Sequence, residues 1–318
     1  MPWRVGIDEA GYGPNLGPLV MTAVACRVPD EHADGCLWRV LRPAVRRQRE
    51  KRRLTRLLVD DSKLVYSPVR GLGDLETSVL AVLRGTGALT TPLGSLVDQL
   101  HADHELRSEA WYRGVTALPL TADSEVVCAA SAQFGEACHN AGLEWRLIRC
   151  MIVCSPRFNE WTNRWGSKAA VLSVGLTQLL PPIMALEPAE PVTVVVDKHG
   201  GRNFYGAMLQ EAFPDCWTLP REEGLDNSLY EIKGLDRSCH VRIKPRADGD
   251  HFEVALASMI SKYIREALMA EFNEFWRQHV PDLEPTAGYP GDSQRFLEAI
   301  RPALARLRIA EELVWRKR

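Results

Sequence analysis

The chain has 318 residues, 46% hydrophobic and 25% charged, which suits a globular protein of one large domain or two modest ones with a substantial core. A formal net charge of −2 excludes a globally positive field, so any nucleic-acid contact has to come from local basic clusters. No apolar stretch approaches the roughly 20 residues needed to span a bilayer, so no membrane partner is expected.

Residues 3–7 form a short apolar run, followed by Asp8-Glu9 and then Gly11, Gly13, Pro14, Gly17 and Pro18. This pattern predicts a strand, a pair of acids and a tight turn. Residues 19–26 predict a second strand, antiparallel to the first. Residues 42–56 carry eight basic residues against one acid and predict an exposed helix or loop. A solvated face and a phosphate-contacting face both remain open there. After Asp60-Asp61-Ser62-Lys63, helical and loop segments extend to about residue 140. Residues 145–153 read as a strand. Residues 163–180 read as one helix with a stripe of Ala169, Val171, Leu172, Val174 and Leu176, ended by Pro181-Pro182.

Residues 192–196 (VTVVV) are the strongest buried-strand signal, and they end on Asp197, before a turn at Gly200-Gly201. Residues 215–244 suggest shorter strands, the last at Cys239–Lys244. From residue 252 to about 276 a long helix is expected, with Ala255, Ala257, Ser258 and Ser261 small enough to approach a sheet closely. The tail is helical and ends in the basic Trp315-Arg316-Lys317-Arg318. A mixed sheet flanked by helices is the economical architecture. The eight cysteines include no CxxC pair, and Cys138-His139 with Cys150 and Cys154 match no standard zinc spacing. Met1-Pro2-Trp3-Arg4 leads straight into the first strand with no leader pattern. A reducing cytoplasm and mostly buried thiols are therefore expected.

Side chains alternate along a strand, so Asp8 and Glu9 share a ligand only where the strand bends into its glycine turn. Asp197 occupies the equivalent place on the Val-rich strand, and open α/β sheets bind ligands at such carboxyl ends. Acids at two strand ends suit a hard cation, Mg²⁺ or Mn²⁺, held by oxygen.

The run Gly6-Ile7-Asp8-Glu9-Ala10-Gly11-Tyr12-Gly13-Pro14, continuing to Gly17-Pro18-Leu19-Val20, resembles the opening motif of type II ribonuclease H. Further landmarks follow in that family's order. They are Asp61-Ser62-Lys63-Leu64, Phe158-Asn159-Glu160 with Asn163, and Val194-Val195-Val196-Asp197. Leu256-Ala257-Ser258-Met259-Ile260-Ser261-Lys262 with Arg265-Glu266 comes next, and then Gly288-Tyr289-Pro290.

The resemblance implies a ribonuclease H-like fold, a five-stranded mixed sheet with three antiparallel strands first, flanked by helices. It makes residues 1–318 one catalytic domain, with an insertion at about 84–140 and a C-terminal helical extension at about 280–318. It implies that Asp8, Glu9, Asp197 and Glu266 are the catalytic, metal-holding acids for Mg²⁺ or Mn²⁺. Gly11, Tyr12, Gly13, Ser62, Lys63 and Lys244 would contact substrate, and Lys262 would bring its ammonium near the site. The implied activity is hydrolysis of the RNA strand of RNA–DNA hybrids, or of ribonucleotides embedded in duplex DNA, leaving 3′-hydroxyl and 5′-phosphate ends.

Three positions depart from the family pattern. Its Gly-Arg-Gly is Gly11-Tyr12-Gly13 here, and a tyrosine can stack but supplies no charge. The fourth acid is Glu266 where the family has Asp, and the extra methylene moves the carboxylate by roughly 1.5 Å, which matters to octahedral Mg²⁺. The family's C-terminal motif has a tyrosine that senses the ribose 2′-hydroxyl, whereas no tyrosine follows Tyr289 and Trp315-Arg316 is the nearest counterpart. In the inserted stretch, Trp111-Tyr112 are expected in the core. Two other functions remain in play: a non-catalytic nucleic-acid-binding relative of the same fold, and an actin-like ATPase, whose phosphate loops are Gly/Thr-rich rather than Glu/Pro-containing.

Overall fold

The computed structural model describes residues 1–47, 55–101, 105–198 and 200–317. Two antiparallel strands open the chain, β1 (Trp3–Ala10) and β2 (Leu19–Arg27). Two four-residue helical turns, Leu37–Val40 and Ser62–Val65, precede three longer helices: α1 (Gly73–Gly85), α2 (Leu93–Leu100) and α3 (Ser124–Asn140). Strand β3 (Glu144–Val153) pairs antiparallel with β2 and leads into α4 (Ser155–Trp165) and α5 (Lys168–Met184). Strand β4 (Val192–Asp197) lies parallel to β1. After it come α6 (Gly206–Ala212), β5 (Trp217–Glu223), β6 (Ser228–Lys233) and β7 (Cys239–Lys244). Helices α7 (Phe252–His279) and α8 (Pro290–Leu307) complete the order.

The main sheet is mixed and flanked by helices, in the order β3-β2-β1-β4-β7-β6-β5. Three antiparallel strands do come first, but the sheet has seven strands rather than five. The extra pair is the β5–β6 hairpin, which joins because β6 pairs antiparallel with β7. In β6 the alternate residues Ser228, Tyr230 and Ile232 are buried, as one covered sheet face demands.

Alternation also sorts β1. Trp3, Val5 and Ile7 enter the core beneath α4, α5 and α6, whereas Gly6 faces α7. A Cβ at Gly6 would lie 2.2 Å from the Glu253 carbonyl carbon, so glycine is what allows α7 to cross β1 so closely. The small residues of α7 serve the same approach: Ser261 Oγ donates to the Asp8 carbonyl at 3.1 Å and contacts Thr22 Oγ1 at 2.7 Å.

Two local expectations are corrected. The single helix expected at 163–180 is two helices, because Gly166 turns left-handed (φ 69°) and Ser167 then caps α5 by accepting from Ala170 N–H. Pro181 and Pro182 lie inside α5 rather than beyond it. Each lacks a donor but keeps its carbonyl, and Pro181 O accepts from Ala185 N–H. Where a helix or loop is expected at 42–56, Val45–Arg46 form a short parallel strand pair with Leu57–Leu58 just beyond the stretch, while residues 48–54 lie outside the described residues.

The stretch 84–140 begins inside α1. Its helices contribute Leu93, Leu96, Val127 and Phe134 to the same core as β2 and α7. Trp111 is buried and packs edge-on against Phe272, its ring centre 5.3 Å away, as expected for a core residue. Five cysteines are buried and all eight are free. Among the described residues no helix is long and apolar enough to cross a membrane.

Candidate metal centre

Strand β1 pairs with β4 only as far as Ile7↔Val196, while its pairing with β2 continues to Ala10. Asp8 and Glu9 therefore lie where β1 has left β4, beside the Asp197 end of that strand. Both acids lie in the last residues of the strand, at its end as the sequence suggests. Asp8 is only 5% exposed. Its Oδ1 accepts from Glu9 N–H at 2.7 Å, and Asp197 Oδ1 accepts from Ala247 N–H at 2.7 Å.

These three carboxylates disturb one another. Burial, then the charges of Glu9 and Asp197, hold the Asp8 carboxyl well above its usual range. Burial and Asp197 push Glu9 up to about 7. Burial also raises Asp197, against the lowering effect of the Ala247 N–H and the Lys63 ammonium. The direction is that of desolvated like charges short of countercharge.

The other residues singled out from the sequence fall into three groups. Some meet the carboxylates. Lys63 favours the charged forms of Glu9 and Asp197. Ser62 is buried and accepts from Ser258 Oγ at 3.1 Å, and the Ser258 hydroxyl is near enough to Asp8 to favour its charged form. Others are engaged elsewhere. Lys244 pairs with Asp250. Glu266 accepts from Lys262 Nζ at 2.7 Å, Tyr66 Oη at 3.0 Å and Arg265 Nη1 at 3.3 Å. It is not among the largest influences on Asp8, Glu9 or Asp197. Lys262 is thus committed to Glu266 and to the Tyr66 ring, 4.7 Å from its centre.

The third group shapes the glycine turn. Gly11 has φ +92° and a Cβ there would lie 2.6 Å from Pro18 O and 2.7 Å from Arg265 Cδ, so only glycine fits. Gly13 lies against the half-exposed Tyr289, whose Cε1 is 3.6 Å from its Cβ position.

Two buried arginines support this turn from within. Arg265 Nη2 donates to Leu16 O and Ala287 O, and Arg316 Nη2 donates to Gly11 O and Pro14 O. The C-terminal segment carrying Arg316 is stitched in by its backbone. Arg316 N–H donates to Asn15 O at 2.8 Å, and Trp315 bridges to Leu16. Arg316 therefore stands beneath the loop, while Arg318 lies outside the described residues.

The donor set is all oxygen and anionic, which fits a hard divalent cation better than zinc. Among the described residues no three His, Cys, Asp or Glu side chains are already arranged around an ion. A small hydrated cation needs only one or two direct carboxylates, its waters filling the other positions.

No family model matches the chain, and no curated protein matches it. Solved structures that resemble it include the ribonuclease H2 of Pyrococcus horikoshii, at 14% identity and TM-score 0.42, over 98% of this chain and 92% of that one. The ribonuclease HII of a PCNA complex from Archaeoglobus fulgidus is similar at 18% and 0.42, over 99% and 94%. Bst-ribonuclease HIII in complex with Mn²⁺ is similar at 16% and 0.39, over 99% of this chain and 66% of that one. Likenesses of this size leave the functional argument to the chain's own residues.

The sequence pattern missed Asp248, which is buried and raised to about 6 by desolvation and by Asp61 and Asp197. A signal existed: Asp248 follows the end of β7 as Asp197 ends β4. Lys168 and Arg202 carried no such signal. They meet Tyr12 only through the tertiary fold, Lys168 Nζ lying 4.6 Å from its ring centre.

Proposed function

We propose that this protein is a divalent-metal-dependent endonuclease of the type II ribonuclease H kind. Its substrate would be the RNA strand of an RNA–DNA hybrid or a ribonucleotide within duplex DNA, cut to leave 3′-hydroxyl and 5′-phosphate ends. One observation carries the reading: Asp8, Glu9 and Asp197 meet at neighbouring strand ends with their protonation raised by burial and mutual repulsion. Buried carboxylates in that state lower the stability of the empty protein and gain most from a cation.

Mg²⁺ or Mn²⁺ bound there would lower the pKa of a water and stabilise the departing oxygen of a phosphodiester. The chain's residues supply the rest. Asp8 is the central carboxylate, flanked by Glu9 and Asp197 and fixed by the Glu9 N–H. The Ser62–Ser258 contact steadies it from the α7 side. Lys63 offsets the negative charge that an incoming phosphate would meet. Gly11, Tyr12 and Gly13 border the strand being cut. Glu266 joins as a fourth ligand only after exchanging Tyr66 and Lys262, and Lys244 reaches phosphate only by leaving Asp250. Tyr289, exposed beside Gly13, offers a ring and hydroxyl to the sugar.

The test is cleavage of three labelled duplexes with Mg²⁺ or Mn²⁺: a full hybrid, DNA with one embedded ribonucleotide, and plain DNA. Cutting confined to ribonucleotide-containing strands is expected. Equal cutting of plain DNA would refute the ribonucleotide preference. Hybrid binding that is the same in EDTA and Mg²⁺, with no cutting, would favour a non-catalytic binding protein.

A further inference from the structure

The glycine turn has a tyrosine between its glycines, so the turn itself brings no cation to a substrate phosphate. The fold brings two. Along β1, Glu9 has the parity of Ile7, whose side chain enters the core beneath α5. Tyr12 packs on that same core. The N-terminal residue of α5 is Lys168, whose ammonium stands 4.6 Å from the centre of the Tyr12 ring. Gly166 and Ser167 set that start of the helix by breaking it from α4.

Arg202 arrives from the loop after β4. Its Nη1 donates to Ser173 Oγ of α5 at 2.5 Å, which fixes one corner of the guanidinium. Arg202 and Glu9 act in opposite directions on the Tyr12 hydroxyl, so both are its electrostatic neighbours. The loop is held in turn by Lys198, the residue after Asp197, whose Nζ donates to Asn203 Oδ1 at 2.6 Å and Gly224 O at 3.0 Å. Two cations and an aromatic face from three separate segments thus converge on the Glu9 side of the acids. A partly exposed Trp165, with Arg164 stacked 5.0 Å from its ring centre, ends the adjoining α4.

We propose that Lys168 and Arg202, gathered around Tyr12, form a subsite for a backbone phosphate of the nucleic-acid strand, supplying the charge that the turn lacks. A phosphate there is flanked by an ammonium and a fork of guanidinium donors, with the Tyr12 ring orienting the lysine. The subsite rests on the nucleic-acid reading of the carboxylate centre, and its chemistry is separable from cutting.

The experiment measures binding of a short fluorescent RNA–DNA hybrid in EDTA across a salt series, with steady-state cleavage of the same duplex in Mg²⁺. Lys168→Gln and Arg202→Gln should each weaken binding about tenfold. Each should also reduce the slope of log affinity against log salt by about 0.7–0.9 for one lost phosphate contact. KM should rise with kcat nearly unchanged. Tyr12→Ala should weaken binding similarly, and adding Lys168→Gln to it should cost little more. Tyr12→Arg should restore binding to the Lys168→Gln protein. Unchanged affinity and salt slope in both Gln variants, with the parent protein binding or cutting normally, would overturn the subsite. A parent protein that binds with these dependences but never cuts would keep the subsite and defeat the nuclease reading. A parent that neither binds nor cuts would defeat both.

Discussion

Two neighbouring regions bury charges of one sign and resolve the problem in opposite ways. At the ends of β1 and β4, Asp8, Glu9 and Asp197 are pushed toward protonation. Beneath the glycine turn, Arg265 and Arg316 are pushed toward deprotonation, Arg316 to about 9 by burial and by the charge of Arg265. The arginines spend donors on four backbone carbonyls, those of Gly11, Pro14, Leu16 and Ala287. That arrangement ties the C-terminal segment and α7 to the turn, although Arg265 Nε, Arg316 Nε and Arg316 Nη1 stay buried without a hydrogen-bond partner among the described residues. The carboxylates gain backbone N–H bonds from Glu9 and Ala247 and remain short of positive charge. One region ties segments of the chain together, while the other is a group of buried acids left short of countercharge.

The largest expected effect breaks this pair apart. Asp8→Asn should reduce cleavage at least a hundredfold, because it removes the central carboxylate. It should also raise the melting temperature of the metal-free protein, because a repelling buried charge is gone. A lower melting temperature would mean that Asp8 is structural. Arg316→Ala should do the reverse and lower stability by about 3 kcal/mol, since it strands two buried carbonyls and opens a gap under the turn. A loss below about 0.5 kcal/mol in chemical denaturation would mean that the arginine does not hold these segments together.

A smaller effect follows from pH. Glu9 is raised to about 7 and Asp248 to about 6, so between the ordinary carboxylate range and those values the folded protein holds more protons than the unfolded one. Their contribution is full below about pH 4.5 and is lost as pH rises to about 7. Melting curves of the metal-free protein should show this loss, with a flatter profile in Glu9→Gln. Saturating Mg²⁺ should restore stability most strongly near neutral pH. An identical profile in Glu9→Gln would remove Glu9 from the cause. The smallest expected effect is Tyr66→Phe, which deletes one donor to Glu266 and should change kcat by less than about tenfold, because Lys262 and Arg265 still hold the carboxylate. A loss as large as that of Asp8→Asn would make Tyr66 part of the centre itself.

The sequence made the acidic strand ends legible because each follows an apolar run, and local pattern determines strand placement. Asp8, Glu9 and Asp197 needed nothing more. Glu266 is different. Its helix and position were readable, but not that Tyr66, from 200 residues earlier, would occupy its carboxylate. Lys168 was hidden for a similar reason, since the break at Gly166 that makes it a helix start was read as continuous helix. The β5 strand falls in the 215–244 stretch expected to hold short strands, but its bounds were not legible because it includes Pro220 and is mostly exposed, so no alternation marks it. Asp248 was overlooked although it follows the end of a strand whose bounds were read correctly.

The most direct test of the central claim is single-turnover cleavage of a duplex with one embedded ribonucleotide by the Asp197→Asn protein, in parallel with the effect of Mn²⁺ on its melting temperature. The account predicts that Asp197→Asn keeps the fold, loses at least a hundredfold in rate, and loses most of the Mn²⁺-induced rise in melting temperature seen in the parent protein. A folded Asp197→Asn protein that cuts at the parent's rate would contradict the metal centre at β1 and β4.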